Sequence, residues 1–301
     1  MAKAKNCVKR VLIISAYFPP SNLAGVMRPR LLAAHLAACG WEPVVVTVDA
    51  SHYEEMNDEQ SAALVAPQLR VERVGAWPAK VCRPLGFGDI ALRAQTALRR
   101  RVAEIVAREK VDLIFCTVLP GYTMLVGAWA KRKFNLPFVL DYQDPWVSDW
   151  GAAQPRFSKA GFAHWLATKL ESGAVAQADA FTAVSADTLA TLRQRGLLRA
   201  DVPVEILPIG ADANDHVVAA RVGRPLTIDD ETTAARAAVA ELEKSHSPIV
   251  HGLSVSLAYV GTITARMLPA VKTLFASVKT IGAENPERRL RLQFIGTSAQ
   301  A

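Results

Sequence analysis

The 301-residue sequence is poor in cysteine and aromatic residues and has no long apolar run. Its four cysteines, Cys7, Cys39, Cys82 and Cys116, form no CxxC pair. Their spacing argues against a zinc site or a disulfide framework and favours free thiols in a reducing cytosol. No segment reaches the roughly 18 uninterrupted apolar residues of a membrane span. The sequence therefore predicts a cytoplasmic protein.

Several nucleotide-binding and catalytic motifs are also missing. Without GxGxxG or GxxxxGK[ST], an ordinary dehydrogenase and a P-loop NTPase both lose support. The absence of a GxSxG elbow argues against a serine hydrolase. The histidines have no metal or triad partner at a recognisable spacing. A loop rich in aspartate could hold Mg²⁺, but no second cluster of oxygen ligands supports it, so we expect no metal and no cofactor.

The charge balance is basic. Lys and Arg number 35 against 28 Asp and Glu, which gives a net charge of +7 and favours phosphates, nucleotides or lipid head groups as partners. A predicted helix at Leu92–Lys110 carries six bases, from Arg93 to Lys110, and two acids. It is a candidate for contact with an anionic membrane surface, although a solvated basic face is the alternative. Nucleic-acid binding is not expected, because these bases are not interleaved with aromatic residues.

The order of apolar segments predicts an α/β fold. Val11–Ser15 and Val44–Val48 are continuous apolar runs typical of buried parallel strands. Between them, Arg28–Cys39 has apolar residues at helical spacing and ends before a glycine. Strand, helix and strand in this order form a βαβ unit with parallel strands and a right-handed crossover.

The alternation of strands and helices continues to about residue 212. Seven predicted strands interleaved with helices indicate a doubly wound, Rossmann-like domain at 1–212. A linker or helical insertion is expected at 213–253. A strand at Ser254–Val260, a helix at Leu268–Ile281 and a strand at Leu290–Ile295 then predict the first βαβ unit of a second Rossmann-like domain at 254–301. The further predicted strands are Leu69–Val74, Asp112–Val118, Pro137–Tyr142, Ala180–Val184 and Val204–Leu207, and the further predicted helices include Tyr122–Phe134 and Lys159–Gln177.

The loop Tyr17–Arg30 joins the first strand to the first helix. In a doubly wound sheet this junction lies at the carboxyl edge, where ligands bind and where a helix N-terminus offers free N–H groups to an anion. Gly25 would let the backbone approach a phosphate, and Arg28 could pair with a phosphate or a carboxylate. A long surface loop with a glycine turn is the alternative.

The segment LDYQDPWVSDW follows the fifth strand and falls on the same edge. Asp141, Asp144 and Asp149 are interleaved with Trp146 and Trp150. A carboxylate can orient or deprotonate a hydroxyl while an indole covers an apolar sugar face, so this pattern suits a hydroxyl-bearing substrate. A turn at the Asp-Pro pair, with the tryptophans capping the core, is the alternative.

Five segments, in order, resemble the retaining glycosyltransferases of family four, which have the GT-B architecture of two facing Rossmann-like domains. The first is VLIISAYFPPSNLAGVMRPRLLAAHLAACGWEPVVVTVD, and the second and third are FVLDYQDPW and ADAFTAVSADTLATLRQRG. VEILPIGADAND is similar to the segment that closes the N-terminal domain in that family. LAYVGTITARMLPAVKTLFASV resembles the first strand and helix of the donor domain.

The resemblance implies transfer of a sugar from a nucleotide-sugar to a glycan or lipid-linked acceptor, with retention at the anomeric carbon and usually without a metal. The leaving diphosphate must then be neutralised by helix N-termini and basic side chains. Peripheral attachment to the inner face of the membrane would be compatible with such an acceptor. The resemblance implies Asp144 as the candidate catalytic residue, Gly25, Gly261, Thr262 and Arg266 for the donor diphosphate, and Tyr17, Arg28, Asp141 and Trp146 for the acceptor.

The sequence departs from the family pattern near the second glycine. Thr262 follows Gly261 where the family usually has Arg or Lys, and Arg266 stands where a Lys is expected. The acidic E-x₇-E segment of the family would lie beyond Ala301, so we expect an acceptor domain with only the start of a donor domain, and little turnover by this chain alone. A non-catalytic glycan-binding module that pairs with a separate donor-domain chain is the alternative. A nucleotide-sugar epimerase is a third interpretation, which the order of the segments disfavours.

Overall fold

The computed structural model describes residues 8–55, 57–212, 215, 254–260, 268–284 and 289–295. The chain divides into two units, Met1–Val218 and Ala219–Ala301. The linker predicted at 213–253 lies outside the described residues except for Asp215.

The first unit is built on a seven-stranded parallel sheet. The strand order is β3-β2-β1-β4-β5-β6-β7, so the direction of winding reverses between β1 and β4. This confirms the predicted doubly wound α/β fold. The strands are β1 (Lys9–Ile14), β2 (Trp41–Val48), β3 (Arg70–Val74), β4 (Leu113–Thr117), β5 (Phe138–Tyr142), β6 (Ala180–Ala183) and β7 (Val204–Ile206).

Helices connect these strands. Among the described residues, none of the helices is both long and apolar enough to cross a membrane. The helices of the first unit are α1 (Met27–Leu36), α2 (Glu59–Ala62), α3 (Ala79–Cys82), α4 (Ile90–Arg93), α5 (Gln95–Arg108), α6 (Met124–Phe134), α7 (Asp149–Ala152), α8 (Lys159–Val175) and α9 (Ala186–Gln194).

The strands are apolar along their length because both faces of the sheet are covered. Side chains alternate across a strand, so Ile13 contributes to the core under α1, which also contains Ala33. Leu12 and Ile14 contribute to the larger core on the opposite face, where α5 contributes Leu98. Two-sided burial explains why these strands appear in the sequence as continuous apolar runs.

The prediction of a single helix at Leu92–Lys110 is wrong, because the chain forms two helices there, α4 and α5. Asp89 caps α4 by accepting a hydrogen bond from the Leu92 N–H at 3.1 Å. The helix ends at Ala94, whose φ of −96° and ψ of −1° interrupt the helical path before α5 begins. The break leaves Arg93 directed into the protein, where it is buried.

The second unit contains a parallel strand pair and a helix. β8 (Ser254–Val260) pairs with β9 (Arg289–Ile295) in parallel, with Ser254 opposite Arg289. Between them in sequence lies α10 (Leu268–Glu284), three residues longer than predicted at its C-terminal end. The predicted strand, helix and strand are therefore confirmed.

Candidate functional site

Three loops meet at the carboxyl edge of the sheet, around the point where the winding reverses. They follow β1 at 15–26, β4 at 118–121 and β5 at 143–148. Ligands of open α/β sheets bind at this position, because the loops diverge there and leave a crevice between them. The candidate site is built from side chains that follow these three strands, together with side chains from the connections after β2 and β3.

Two aromatic rings lie together on the loops after β4 and β5. The rings of Tyr122 and Trp146 are 4.8 Å apart, with an edge-to-face angle of 67°. A Cβ on Gly121 would overlap the indole of Trp146, so this position requires glycine. Tyr122 and Trp146 are both half-buried, so part of each ring surface is accessible to a ligand.

A hydrogen-bonded tyrosine and carboxylate extend the site on the side of β1. The hydroxyl of Tyr17 donates to Glu55 Oε1 at 2.8 Å. Tyr53 packs against the Tyr17 ring at 5.1 Å and is itself held by a hydrogen bond from its hydroxyl to the Val48 carbonyl at 2.8 Å. Burial, then the hydrogen bond to Glu55, raises the pKa of Tyr17, so the phenol stays protonated.

Asp89 is a second carboxyl group near the tyrosines, and its own proton affinity is unusually high. Burial raises the pKa of Asp89 to about 6, and the charge of Glu55 contributes in the same direction. The negative charge of Asp89 in turn raises the pKa of both Tyr17 and Tyr122. Asp89 is therefore close enough to both phenols to act on them electrostatically, and we group it with the two tyrosines.

We call Tyr17, Glu55, Asp89, Tyr122 and Trp146 the edge cluster. Its aromatic faces can cover the apolar side of a ring, and its carboxyl groups can accept hydrogen bonds from hydroxyls. A carboxyl group with a pKa of about 6 can also exchange a proton near neutral pH. The edge cluster therefore suits a polyhydroxylated ligand.

Arg28 and Asp141 lie in a buried network instead of on this surface. Their side chains are 5% and 0% exposed, and Arg28 Nε lies 3.4 Å from Asp141 Oδ2. Thr182 donates to Asp141 Oδ1 at 2.6 Å, while Arg28 donates to the carbonyls of Leu207 and Pro208. Burial raises the pKa of Asp141, and the Thr182 hydrogen bond and the Arg28 charge oppose that rise. The structure thus places both residues in a buried network, and their expected contact with an acceptor stays a prediction.

Gly25 is also buried, on the loop after β1. A Cβ at this position would overlap the Leu119 side chain, and the Gly25 carbonyl accepts a hydrogen bond from Gln143 Nε2 at 3.1 Å. The loops after β1, β4 and β5 therefore pack closely here, and a side chain at this position would have to displace Leu119. The expected approach of a phosphate to its backbone stays a prediction.

The other predicted site residues divide into two groups. Asp144 is exposed and lies two residues before Trp146, so it belongs to the same loop as part of the edge cluster. Gly261, Thr262 and Arg266 lie outside the described residues. Their expected contact with the donor diphosphate stays a prediction.

The predicted basic helix presents fewer free charges than its sequence suggests. Arg93 is buried in α4, where it donates to the Trp77 carbonyl at 2.8 Å and pairs with Glu54 at 3.3 Å. On α5, Arg101 pairs with Glu72 at 2.7 Å. The expectation of one basic face from Arg93 to Lys110 is therefore corrected, because part of its charge is neutralised within the protein.

The sequence pattern does not predict three members of the edge cluster, Tyr122, Glu55 and Asp89. Tyr122 follows the Pro-Gly pair after β4, so the same reasoning about the carboxyl edge could have found it. Glu55 and Asp89 lie in irregular connections, where no periodic pattern marks a site. Within the described part of the chain, no three His, Cys, Asp or Glu side chains are grouped closely enough to hold a metal ion.

The family of the chain follows from comparison with known sequences. The family described as "Glycosyl transferase 4-like domain" matches residues 26–210, which is more than half of the 301 residues. The chain therefore belongs to this family, and the predicted family is confirmed. The matched region contains Arg28 and Asp141 of the buried network and four of the five members of the edge cluster. No curated protein sequence matches the chain significantly.

Solved structures with similar folds have low sequence identity to the chain. The N-terminal domain of trehalose-6-phosphate phosphatase from Candida albicans is 14% identical, with a TM-score of 0.54 over 97% of this chain and 65% of that chain. A sucrose-phosphate synthase structure from Thermosynechococcus elongatus is 16% identical, with a TM-score of 0.41 over 71% of this chain and 96% of that one. The structure of Phytolacca americana UGT2, complexed with UDP-2fluoro-glucose and pterostilbene, is 10% identical, with a TM-score of 0.45 over 95% of this chain and 72% of that chain.

Asp89→Asn should change the pH dependence of stability. The pKa of Asp89 rises from 3.8 to about 6 on folding, so its ionisation lowers stability as the pH rises through this window. Asparagine keeps the helix cap but cannot ionise. We expect the variant to gain stability relative to the parent protein between about pH 4 and about pH 7. Urea unfolding followed by tryptophan fluorescence measures this difference, and a difference that does not vary with pH would contradict the assignment.

The buried ion pair predicts strong coupling between Arg28 and Asp141. Arg28→Met should lower the free energy of unfolding by about 3–5 kcal/mol, because it leaves a buried carboxylate without its cation. The same substitution should cost less in an Asp141→Asn background, where no charge remains to be compensated. Urea unfolding of the parent protein, both single variants and the double variant gives the coupling energy. Equal costs in the two backgrounds would show that the pair does not interact.

Proposed function

We propose that the protein transfers a sugar, with retention, from a nucleotide-sugar donor to a glycan or lipid-linked acceptor bound at the edge cluster. Membership of the glycosyl transferase 4-like family supports glycosyl transfer in general. The observation that carries the acceptor site is the edge-to-face pairing of the Tyr122 and Trp146 rings, with the Asp89 charge close enough to raise the pKa of Tyr122. It lies at the strand switch point, where ligands of this fold class bind.

The acceptor sugar would pack its apolar face against Trp146 and Tyr122. Its hydroxyls would donate to Glu55 and Asp89, which are the acceptor-only groups of the cluster when ionised. Tyr17 would remain bound to Glu55 and hold that carboxylate in place. Arg28 and Asp141 support this surface from below through the buried network.

Asp144 is the proposed catalytic residue. Its carboxylate is exposed on the loop that carries Trp146, so it can reach a hydroxyl of a sugar that packs on the indole. We assign it the role of orienting or deprotonating the reacting hydroxyl. The expected contacts of Gly25, and separately of Gly261, Thr262 and Arg266, with the donor diphosphate are retained as proposals from the family resemblance, and no cofactor other than the donor is included.

Trp146→Ala should weaken saccharide binding by about tenfold or more, because the loss of one stacking surface costs at least about 1.4 kcal/mol. Isothermal titration of the 301-residue protein with a panel of soluble oligosaccharides measures the affinity. Trp165→Ala is the matched control, since Trp165 is also partly exposed but lies on α8 outside the edge cluster. Equal affinities of the Trp146→Ala variant and the control would remove the edge cluster as the acceptor site.

Asp144→Asn should lower kcat by about a hundredfold and leave saccharide affinity nearly unchanged, because it removes a proton acceptor without removing a packing surface. Turnover is measured in an active preparation of the protein, with nuclear magnetic resonance of the product to establish the anomeric configuration. The control is Asp201→Asn, at a side chain that is 82% exposed and pairs with Arg199. Unchanged turnover with an intact fold excludes Asp144 from the mechanism. Saccharide binding without turnover on any nucleotide-sugar would favour the non-catalytic module.

A further inference from the structure

The connection after β3 exposes large apolar side chains. In residues 77–88, which we call the first apolar segment, Trp77 is 65% exposed and Leu85 is 68% exposed. Val81 and Phe87 are also more than half exposed. Four such side chains within twelve residues, on the surface of one connection, indicate a contact with something other than water.

The connection after β5 and the start of α8 show the same pattern. In residues 151–170, the second apolar segment, Phe157 is 99% exposed. Phe162 and Trp165 follow on the first two turns of α8, and their rings lie 5.7 Å apart on an exposed surface. These aromatic side chains have no role in the core or in the edge cluster.

The charges within both segments have one sign. The first contains Lys80 and Arg83, and the second contains Arg156, Lys159 and Lys169; neither contains an acid. Arg83 also contacts Glu54, at 3.1 Å. Aromatic side chains interspersed with Lys and Arg suit the boundary between anionic head groups and acyl chains.

Both segments lie at the carboxyl edge on one side of the sheet. They follow the carboxyl ends of β3 and β5, which are on opposite sides of β1 and β4 in the strand order. The helices that they lead into, α5 and α8, both pack against α6 and therefore cover the same face of the sheet. Four members of the edge cluster follow β1, β2, β4 and β5, and the fifth, Asp89, comes directly after the first apolar segment in the connection after β3. The two segments thus flank the edge cluster.

We propose that the two apolar segments together form a surface that binds an anionic lipid bilayer. A bilayer that contacted both segments would lie beside the edge cluster and bring a lipid-linked saccharide to Trp146. This second step rests on the proposed function, whereas bilayer binding itself does not. The surface replaces α5 as the membrane-facing element, because the cations of α5 are partly paired with Glu72 and Glu104.

Vesicle flotation tests the proposal on the 301-residue protein. We expect binding to phosphatidylcholine vesicles that contain about 30 mol % phosphatidylglycerol, and binding at least about threefold weaker to phosphatidylcholine alone or at high salt. Trp77→Ser/Phe87→Ser and Phe157→Ser/Trp165→Ser should each lower the bound fraction by about threefold or more. All four side chains are exposed, so the variants should keep the parental circular dichroism spectrum.

Two controls separate this surface from others. Val8→Ser changes a 57% exposed apolar side chain at the opposite edge of the sheet and should leave binding unchanged. Arg100→Gln/Arg108→Gln removes exposed charge from α5 and should have little effect. Equal binding by the parent and both serine double variants, or loss of binding only in the α5 variant, would overturn the proposal.

The remaining outcomes also decide the question. If the parent binds neither vesicle and the same serine substitutions convert a dimer to a monomer, the occupant is a second copy and the bilayer proposal is wrong. If vesicle binding depends on the two segments while Trp146→Ala leaves saccharide affinity unchanged, the membrane surface stands and the proposed acceptor site fails.

Discussion

The buried ion pair between Arg28 and Asp141 is the constraint on which the carboxyl edge depends. Removing two charges from water is costly, so such a pair is tolerated only when further hydrogen bonds satisfy it. Here Thr182 binds the carboxylate, and the carbonyls of Leu207 and Pro208 accept from the guanidinium. Those contacts join α1, β5, β6 and the segment after β7. Any movement of one of these elements would leave a buried charge unpaired.

This constraint divides the edge into a buried layer and an exposed layer. The buried layer also contains Gln143, which fixes the Gly25 loop, while the exposed layer carries Trp146 and Asp144 on the same connection after β5. A rigid support reduces the entropy lost when aromatic side chains order around a ligand. The division therefore explains how one short segment can both complete the fold and present a binding surface.

Much of the fold could be predicted from the sequence, because strands buried on both faces leave continuous apolar runs such as Val44–Val48. The carboxyl edge followed from the same order of elements. Burial within the site could not be predicted. Asp141 is buried because it stands opposite Thr182 in the β5–β6 register, whereas Asp144 lies past the end of the strand. Such long-range pairings leave no mark in the local pattern.

Glu171 shows the same limit in a helix. A lone acid among the small and apolar residues of α8 suggests a structural role, as a surface charge or a cap partner, but this carboxylate is fully buried. It accepts a hydrogen bond from the Tyr142 hydroxyl at 3.3 Å and pairs with Arg195. Tyr142 is the residue after Asp141, so β5 enters two buried polar networks through consecutive side chains, one on each face of the sheet. Both partners of Glu171 are distant in sequence, which is why helical periodicity did not reveal them.

We propose that a saccharide binds at the exposed layer of this edge. Photo-crosslinking of the protein with an oligosaccharide that carries a diazirine, followed by mass spectrometry of the peptides, tests it most directly. We expect labels in the loops that contain Tyr17, Tyr122 and Trp146. Labels confined to peptides outside these loops, or spread evenly over the surface, would contradict it.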